Sequence, residues 1–178
     1  MSRPPVARER VLDALELVLV EQGLAGLTLE HVAERAGVSK GGLLYHFPSK
    51  AKLVDGLFDR LDALLVRAVG DAPTEPGDVV RWFVETSAWP SEEETNLYRA
   101  LTAVLRSGDD LETDRLRRIF ASYAEPVRRT VDDPVLVETV RLVGDGLFLS
   151  RLLGFAPPER TVVDAMVEDF VARATAAR

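Results

Sequence analysis

The sequence predicts an all-α protein of about nine helices, with a three-helix helix-turn-helix head at the N-terminus and a larger helical body behind it. Three observations carry this prediction. Apolar residues recur at three- and four-residue spacing through most of the chain. No alternating apolar and polar run is long enough to make a strand. Gly, Pro and capping residues divide the rest into helix-sized segments.

The first helix is expected from about Pro5 to Gln22, with Val11, Leu12, Leu15, Val18 and Leu19 on one face and Gly23 as its stop. Thr28 caps a short second helix that ends at Ala36, before Gly37. Ser39 caps a third, about Lys40 to Phe47. Pro48-Ser49 opens a fourth, with Leu53, Leu57, Leu61, Leu64 and Leu65 along its inner face. Gly70 to Gly77 is the one linker-like stretch. It places the domain boundary so that residues 1–50 form the head, 50–69 a connecting helix and 70–178 the second domain.

Beyond the linker, a helix is expected from Asp78 to Ala88, broken by Trp89-Pro90. Ser91 and Glu94 have the form of a capping box for the next, which ends near Gly108. Another starts at Asp109 or Asp110, and Pro126 kinks or breaks it. Asp132-Asp133-Pro134 is a strong start signal for a helix reaching about Phe155. Pro157-Pro158 precedes a last helix carrying Val162, Val163, Met166, Val167, Phe170 and Val171.

Composition excludes several classes. The 178 residues include no Cys and two His, so there is no disulfide scaffold, thiol nucleophile or Cys-ligated metal. No metal site and no cofactor are expected. No apolar run approaches the ~18 residues of a membrane span, and the N-terminus does not read as a signal peptide. A cytoplasmic protein without membrane association is expected. No phosphate loop, nucleophile elbow or carboxylate pair appears, so no catalytic residue is assigned and an enzyme is not expected. The formal charge is −7, which on its face argues against nucleic acid. The distribution removes that objection. Residues 1–68 hold nine basic and nine acidic side chains, leaving 13 of the 22 basic and 20 of the 29 acidic ones to residues 69–178.

The head carries the most specific signal. Two short helices flank Gly37-Val38-Ser39, with small Ala33 where helices must approach and Gly37 where a tight turn needs positive φ. This is the layout of a helix-turn-helix that offers its second helix to a major groove. Leu43 and Phe47 lie four apart and should face the scaffold. Gly41, Gly42 and Tyr45 then point outward, with Lys40, Leu44 and His46 on the flanks. Lys40 and Lys50 can reach phosphates, as can the N–H groups at the ends capped by Thr28 and Ser39. His31 reads as a packing or surface residue.

The run Leu27-Thr28-Leu29, Val32-Ala33, Ala36 to Gly41 and Leu43 to Lys50 resembles the DNA-binding domain of TetR-type transcriptional regulators, over roughly residues 8 to 65. The resemblance implies an all-α homodimer with Lys40 to Phe47 as its recognition helix and an effector cavity in the C-terminal domain. By motif position, Thr28, Ser39, Lys40, Gly42, Tyr45, His46 and Lys50 would face or position the DNA; Gly41 and Leu44 complete the expected set. Leu44 stands where the family often has Tyr, and Gly42 where it often has Thr, so a common hydroxyl contact to phosphate is missing.

In the second domain, aromatic residues at helical spacing leave two readings, core packing or an apolar cavity for a small effector. The candidate pocket residues are Trp82, Phe83, Trp89, Tyr98, Leu101, Phe120, Tyr123, Phe148 and Arg151. The helix from Val135 to Phe155 is apolar on more than one face, which suits either a buried central helix or a dimer seam. The candidate seam residues are Val140, Val143, Leu147, Leu152, Val163, Met166, Val167 and Phe170. Gly144 and Gly146 would permit close approach, and Arg141 with Asp145 reads as a local pair.

The function these observations predict is a ligand-responsive repressor. Its partners would be a double-stranded DNA operator, a second copy of itself and a small, apolar or aromatic effector. The alternatives are an activator or ligand-independent repressor of the same fold, or an all-α binding protein without DNA.

Overall fold

A computed structural model describes residues 4–105 and 110–176, and among these it contains ten α-helices, one 3-10 turn and no strand. The expected stop at Gly108 and start at Asp109 lie outside the described residues. The chain divides into two compact units, residues 1–64 with 92–114, and residues 65–91 with 115–178.

The first unit begins with α1 (Pro4–Gln22), whose Val11, Leu12, Leu15, Val18 and Leu19 are all buried. A 3-10 turn (Gly23–Gly26) follows, then α2 (Leu29–Ala36), α3 (Lys40–His46) and the start of α4 (Lys50–Gly70). Val32, Ala33, Leu43, Phe47, Leu53, Leu57, Phe58 and Leu61 are buried with them. Each large side chain so buried contributes about 1.5–3 kcal/mol. The remaining element, α6 (Glu92–Leu105), packs on α1. This grouping differs from a boundary at residue 70. Its cause is the face Leu97, Ala100, Leu101 and Val104, which has no water-exposed area to spare: all four are 2% exposed or less.

Polar contacts also bind this unit. Arg10 Nη2 donates to the carbonyl oxygens of Ala36 at 2.5 Å and Gly37 at 3.3 Å, bolting α1 to the turn after α2. Arg60 on α4 reaches α1, donating to Glu9 at 2.6 Å, Asp13 at 2.8 Å and Glu16 at 2.5 Å. Burial of Glu16 outweighs the Arg60 guanidinium and holds its carboxyl above the usual range. Burial acts the same way on Glu9, but there Arg60 and Arg8 prevail and its pKa lies below the usual range.

The second unit is built around α5 (Pro76–Ala88), which packs on α8 (Glu125–Thr130), α9 (Pro134–Leu152) and α10 (Arg160–Ala176). α7 (Asp110–Tyr123) precedes α8. Pro126 thus opens a separate helix, one reason the helices number ten. Val79, Val80, Phe83, Val84 and Ala88 of α5 share a core with Leu136, Val140, Leu147, Val163, Val167 and Phe170. Asp133 caps α9, accepting from the N–H groups of Val135 and Leu136 at 2.9 and 3.2 Å. Gly144 faces α5: a Cβ there would run into the Phe83 ring, 3.0 Å from Cδ1, and lie 3.1 Å from Ser87 Oγ. Gly144→Ala is therefore expected to cost about 1–3 kcal/mol by overpacking. Chemical denaturation should show a lower midpoint with an unchanged slope.

Candidate DNA-reading surface

The local sequence fixes the corner first. Thr28 Oγ1 accepts from the His31 N–H at 3.1 Å and starts α2. Gly37 adopts φ 62° and ψ 38° and donates back to Ala33 and Glu34, which ends α2 and turns the chain. A non-glycine residue there would be strained by about 1–2 kcal/mol. Ser39 Oγ then accepts from the Gly42 N–H at 3.0 Å and starts α3. Ser49 Oγ does the same for Lys52 at 3.2 Å at the start of α4.

α3 has two distinct sides. Leu43 is 0% exposed and the following Phe47 3%. Gly41 and Gly42 are exposed, and a Cβ at Gly41 would meet nothing within 4 Å. Tyr45 is 82% exposed, the most exposed of the large hydrophobic side chains among the described residues. Its ring meets His46 edge-on at 5.1 Å, and His46 is half-buried against Phe47. Leu44 is also half-buried, while Thr28, Ser39, Lys40 and Lys50 are exposed. An apolar inner side thus anchors a short helix whose outer side has almost no side-chain bulk except Tyr45. A backbone so bare leaves open space over α3, from which the Tyr45 ring projects.

Two residues escape a reading by sequence. Arg10 holds the turn from another helix. Glu30 forms an ion pair with Lys40, Oε1 to Nζ 2.5 Å, across the corner. Helical spacing gives no sign of either, since both pairings cross from one element to another.

In the second unit, Trp82, Phe83 and Tyr123 come together, Tyr123 lying 5.2 and 5.6 Å from the other two rings. Tyr123 Oη donates to Thr86 Oγ1 at 2.8 Å. Phe120 meets Phe148 at 6.1 Å. Trp89 instead carries the Arg160 guanidinium at 4.6 Å, and Arg151 is exposed. Tyr98 and Leu101 belong to α6 in the first unit, where Leu101 is fully buried.

The expected seam residues need a similar correction. Val140, Leu147, Val163, Val167 and Phe170 are covered by the chain's own helices and offer nothing to a partner. Val143, Leu152 and Met166 are half-buried. α9 is apolar on several sides because its inner side serves this core. Its outer side is a different set: Val135, Leu142 and Leu149, seven residues apart and 52–68% exposed. Leu153, Phe155 and Val162 continue the exposed apolar set. Gly146 has open space, and Arg141 Nη1 pairs with Asp145 at 2.7 Å.

Among the described residues no group of three or more His, Asp or Glu is placed to hold a metal, and no helix is long and apolar enough to cross a membrane. The fold and its corner define a helix-turn-helix DNA-binding regulator. The chain belongs to the tetR family of bacterial regulatory proteins: residues 11–57 match that family's N-terminal model, and residues 77–175 match a tetracyclin repressor-like C-terminal domain. It is accordingly a transcription regulator and not an enzyme. The chain is 32% identical to nucleoid occlusion factor SlmA of Marinomonas sp. over 141 residues, 75% of this chain and 70% of that one. It is 41% identical to the HTH-type transcriptional regulator TtgR of Pseudomonas putida over 54 residues, 30% of this chain and 26% of that one. The structure of multidrug binding protein EbrR complexed with malachite green is similar in fold, with TM-score 0.67 and 23% identity over 92% of this chain and 96% of that one.

Proposed function

We propose that this regulator is a ligand-responsive repressor acting as a homodimer on a pseudo-palindromic operator. The bare outer side of α3, with Tyr45 at its tip, is the observation that carries the DNA reading. Tyr45, Gly41, Gly42 and Leu44 meet the groove, His46 orients Tyr45, and Lys40 and Lys50 take phosphates. Thr28 and Ser39 set the helix ends that point at the backbone. The protein works in the cytoplasm, where its DNA is.

The outer stripe of α9 supports a dimer. Val135, Leu142 and Leu149 line one side at seven-residue spacing, an exposed apolar stripe that a second copy of the chain would cover. Leu142→Glu with Leu149→Glu should leave the fold intact, because both side chains are more than half exposed, and yield monomers in sedimentation at micromolar concentration. A dimer that survives both changes would exclude this interface.

For the effector, the Trp82, Phe83 and Tyr123 cluster supports an apolar or aromatic ligand, with Thr86 and Tyr123 as its polar pair. The likeness to a multidrug binding protein carrying an aromatic dye points the same way. Titrating a panel of aromatic cations and phenols against protein with and without bound operator tests this. Linkage requires that a compound that weakens DNA binding by some factor be itself weakened by DNA to the same extent. Independent binding would overturn the induction model. A second reading, a ligand-independent regulator of the same fold, is kept because the long match is to a protein named for nucleoid occlusion and not for a ligand. No response to any compound in the panel would favour it.

A further inference from the structure

We infer that Glu30 is a built-in competitor for DNA phosphate, holding Lys40 in the free protein and lowering the affinity of the reading face for all duplex DNA. The inference rests on the assignment of Lys40 to a phosphate contact.

Glu30 is the second residue of α2 and Lys40 the first of α3. The turn at Gly37 brings them together, Oε1 to Nζ 2.5 Å. The pair is not part of any core: the side chains are 64% and 55% exposed. It lies on the solvent side of the corner, beside the outer side of α3. The Lys40 hydrogen bond above all, then a backbone hydrogen bond and the Lys40 charge, hold the Glu30 carboxyl below the usual range, and the charge of Lys50, the other proposed phosphate contact, adds a smaller push in the same direction.

A carboxylate oxygen at an ammonium offers the same charge and the same acceptor as a phosphate oxygen. Docking on DNA therefore exchanges one anion for another at Lys40. The exchange strips Glu30 of its partner and leaves its charge beside the duplex. The cost is independent of sequence, because every duplex presents the same phosphates. This fits a head whose nine basic and nine acidic side chains cancel over residues 1–68. Its binding then depends on placed contacts such as Tyr45, and loose attachment elsewhere on a chromosome is suppressed.

Full-length wild type, Glu30→Gln, Lys40→Ala and the double variant are compared by fluorescence anisotropy between 50 and 300 mM salt. The probes are a 30-base-pair mixed-sequence duplex and a duplex recovered by selection from a random pool. Thermal melting of each variant separates folding from binding. Glu30→Gln is expected to tighten both duplexes by a similar factor, about three- to tenfold, and to steepen the salt slope by about 0.9 per protomer. In the Lys40→Ala background most of that gain should vanish. Three results would overturn the inference: unchanged affinity, a full gain without Lys40, or weakened binding of the selected duplex alone. The last would make Glu30 a base reader. Wild-type protein that binds no duplex would overturn the DNA-reading assignment itself, and this inference with it.

Discussion

Tyr45→Ala combined with Lys40→Ala is expected to abolish operator binding while the protein remains folded and keeps the oligomeric state of the wild type. Tyr45 is 82% exposed and is not part of the core, so its loss removes little buried area. Lys40 is exposed and its pair with Glu30 lies in solvent, where such pairs contribute little to stability. The binding loss is different in scale. A groove contact and a phosphate contact at about 1 kcal/mol each, removed from both protomers, amount to about 4 kcal/mol, or about a thousandfold. The Lys40 share should shrink at high salt, because it acts through phosphate; the Tyr45 share should not. Anisotropy titrations at two salt concentrations measure both. Binding unchanged by the double substitution would move the reading surface away from α3.

Arg60→Ala should give the largest loss of stability. Arg60 is 12% exposed and Glu16 10%, and Arg60 also collects Glu9 and Asp13. Removing the guanidinium leaves three carboxylates with no common cation, one of them buried. Breaking such a pair costs about 3 kcal/mol, about 10 °C in Tm. The pH dependence follows from the two shifts. Glu16 has a raised pKa in the fold, so its ionisation opposes folding and its contribution improves as pH falls through that raised value. Glu9 has a lowered pKa, so its contribution is present at neutral pH and is lost as pH falls through it. In the wild type these oppose each other. Without Arg60 the Glu16 effect grows and the Glu9 effect fades, so the deficit of the variant should shrink between pH 7.5 and pH 5. Adding Glu16→Gln should restore part of the loss at pH 7.5. A deficit that is flat with pH would show that Arg60 acts through packing alone.

The corner was readable because local chemistry makes it. Thr28, Gly37 and Ser39 act within three or four residues of themselves, and Leu43 and Phe47 are separated by one helical turn. The inner and outer sides of α3 follow from those spacings. The family pattern sharpened the same stretch. Long-range pairing was not readable in this way. Arg10 reaches Ala36 and Arg60 reaches Glu9, Asp13 and Glu16, contacts that join helices far apart in sequence. α6 could not be assigned to the first unit from its own amphipathic face, which would serve any partner helix equally well.

α9 shows the limit most plainly. A helix apolar on several sides must be covered, but its sequence does not say by which neighbour. Val140 and Leu147 face α5 and the rest of their own core, while Leu142 and Leu149 do not. Only the packed structure separates the two stripes. The charge distribution has a comparable lesson. An overall −7 argues against nucleic acid until the head proves neutral and its one corner lysine proves to be held by Glu30.

Selection of bound fragments from a random duplex pool tests the central claim most directly. The proposed dimer, with two α3 helices about one DNA turn apart, roughly 34 Å, should enrich a pseudo-palindrome with half-sites spaced accordingly. The Tyr45→Ala variant should enrich nothing under the same conditions. A pool left unenriched by the wild-type protein, or enriched equally by the variant, would contradict the account.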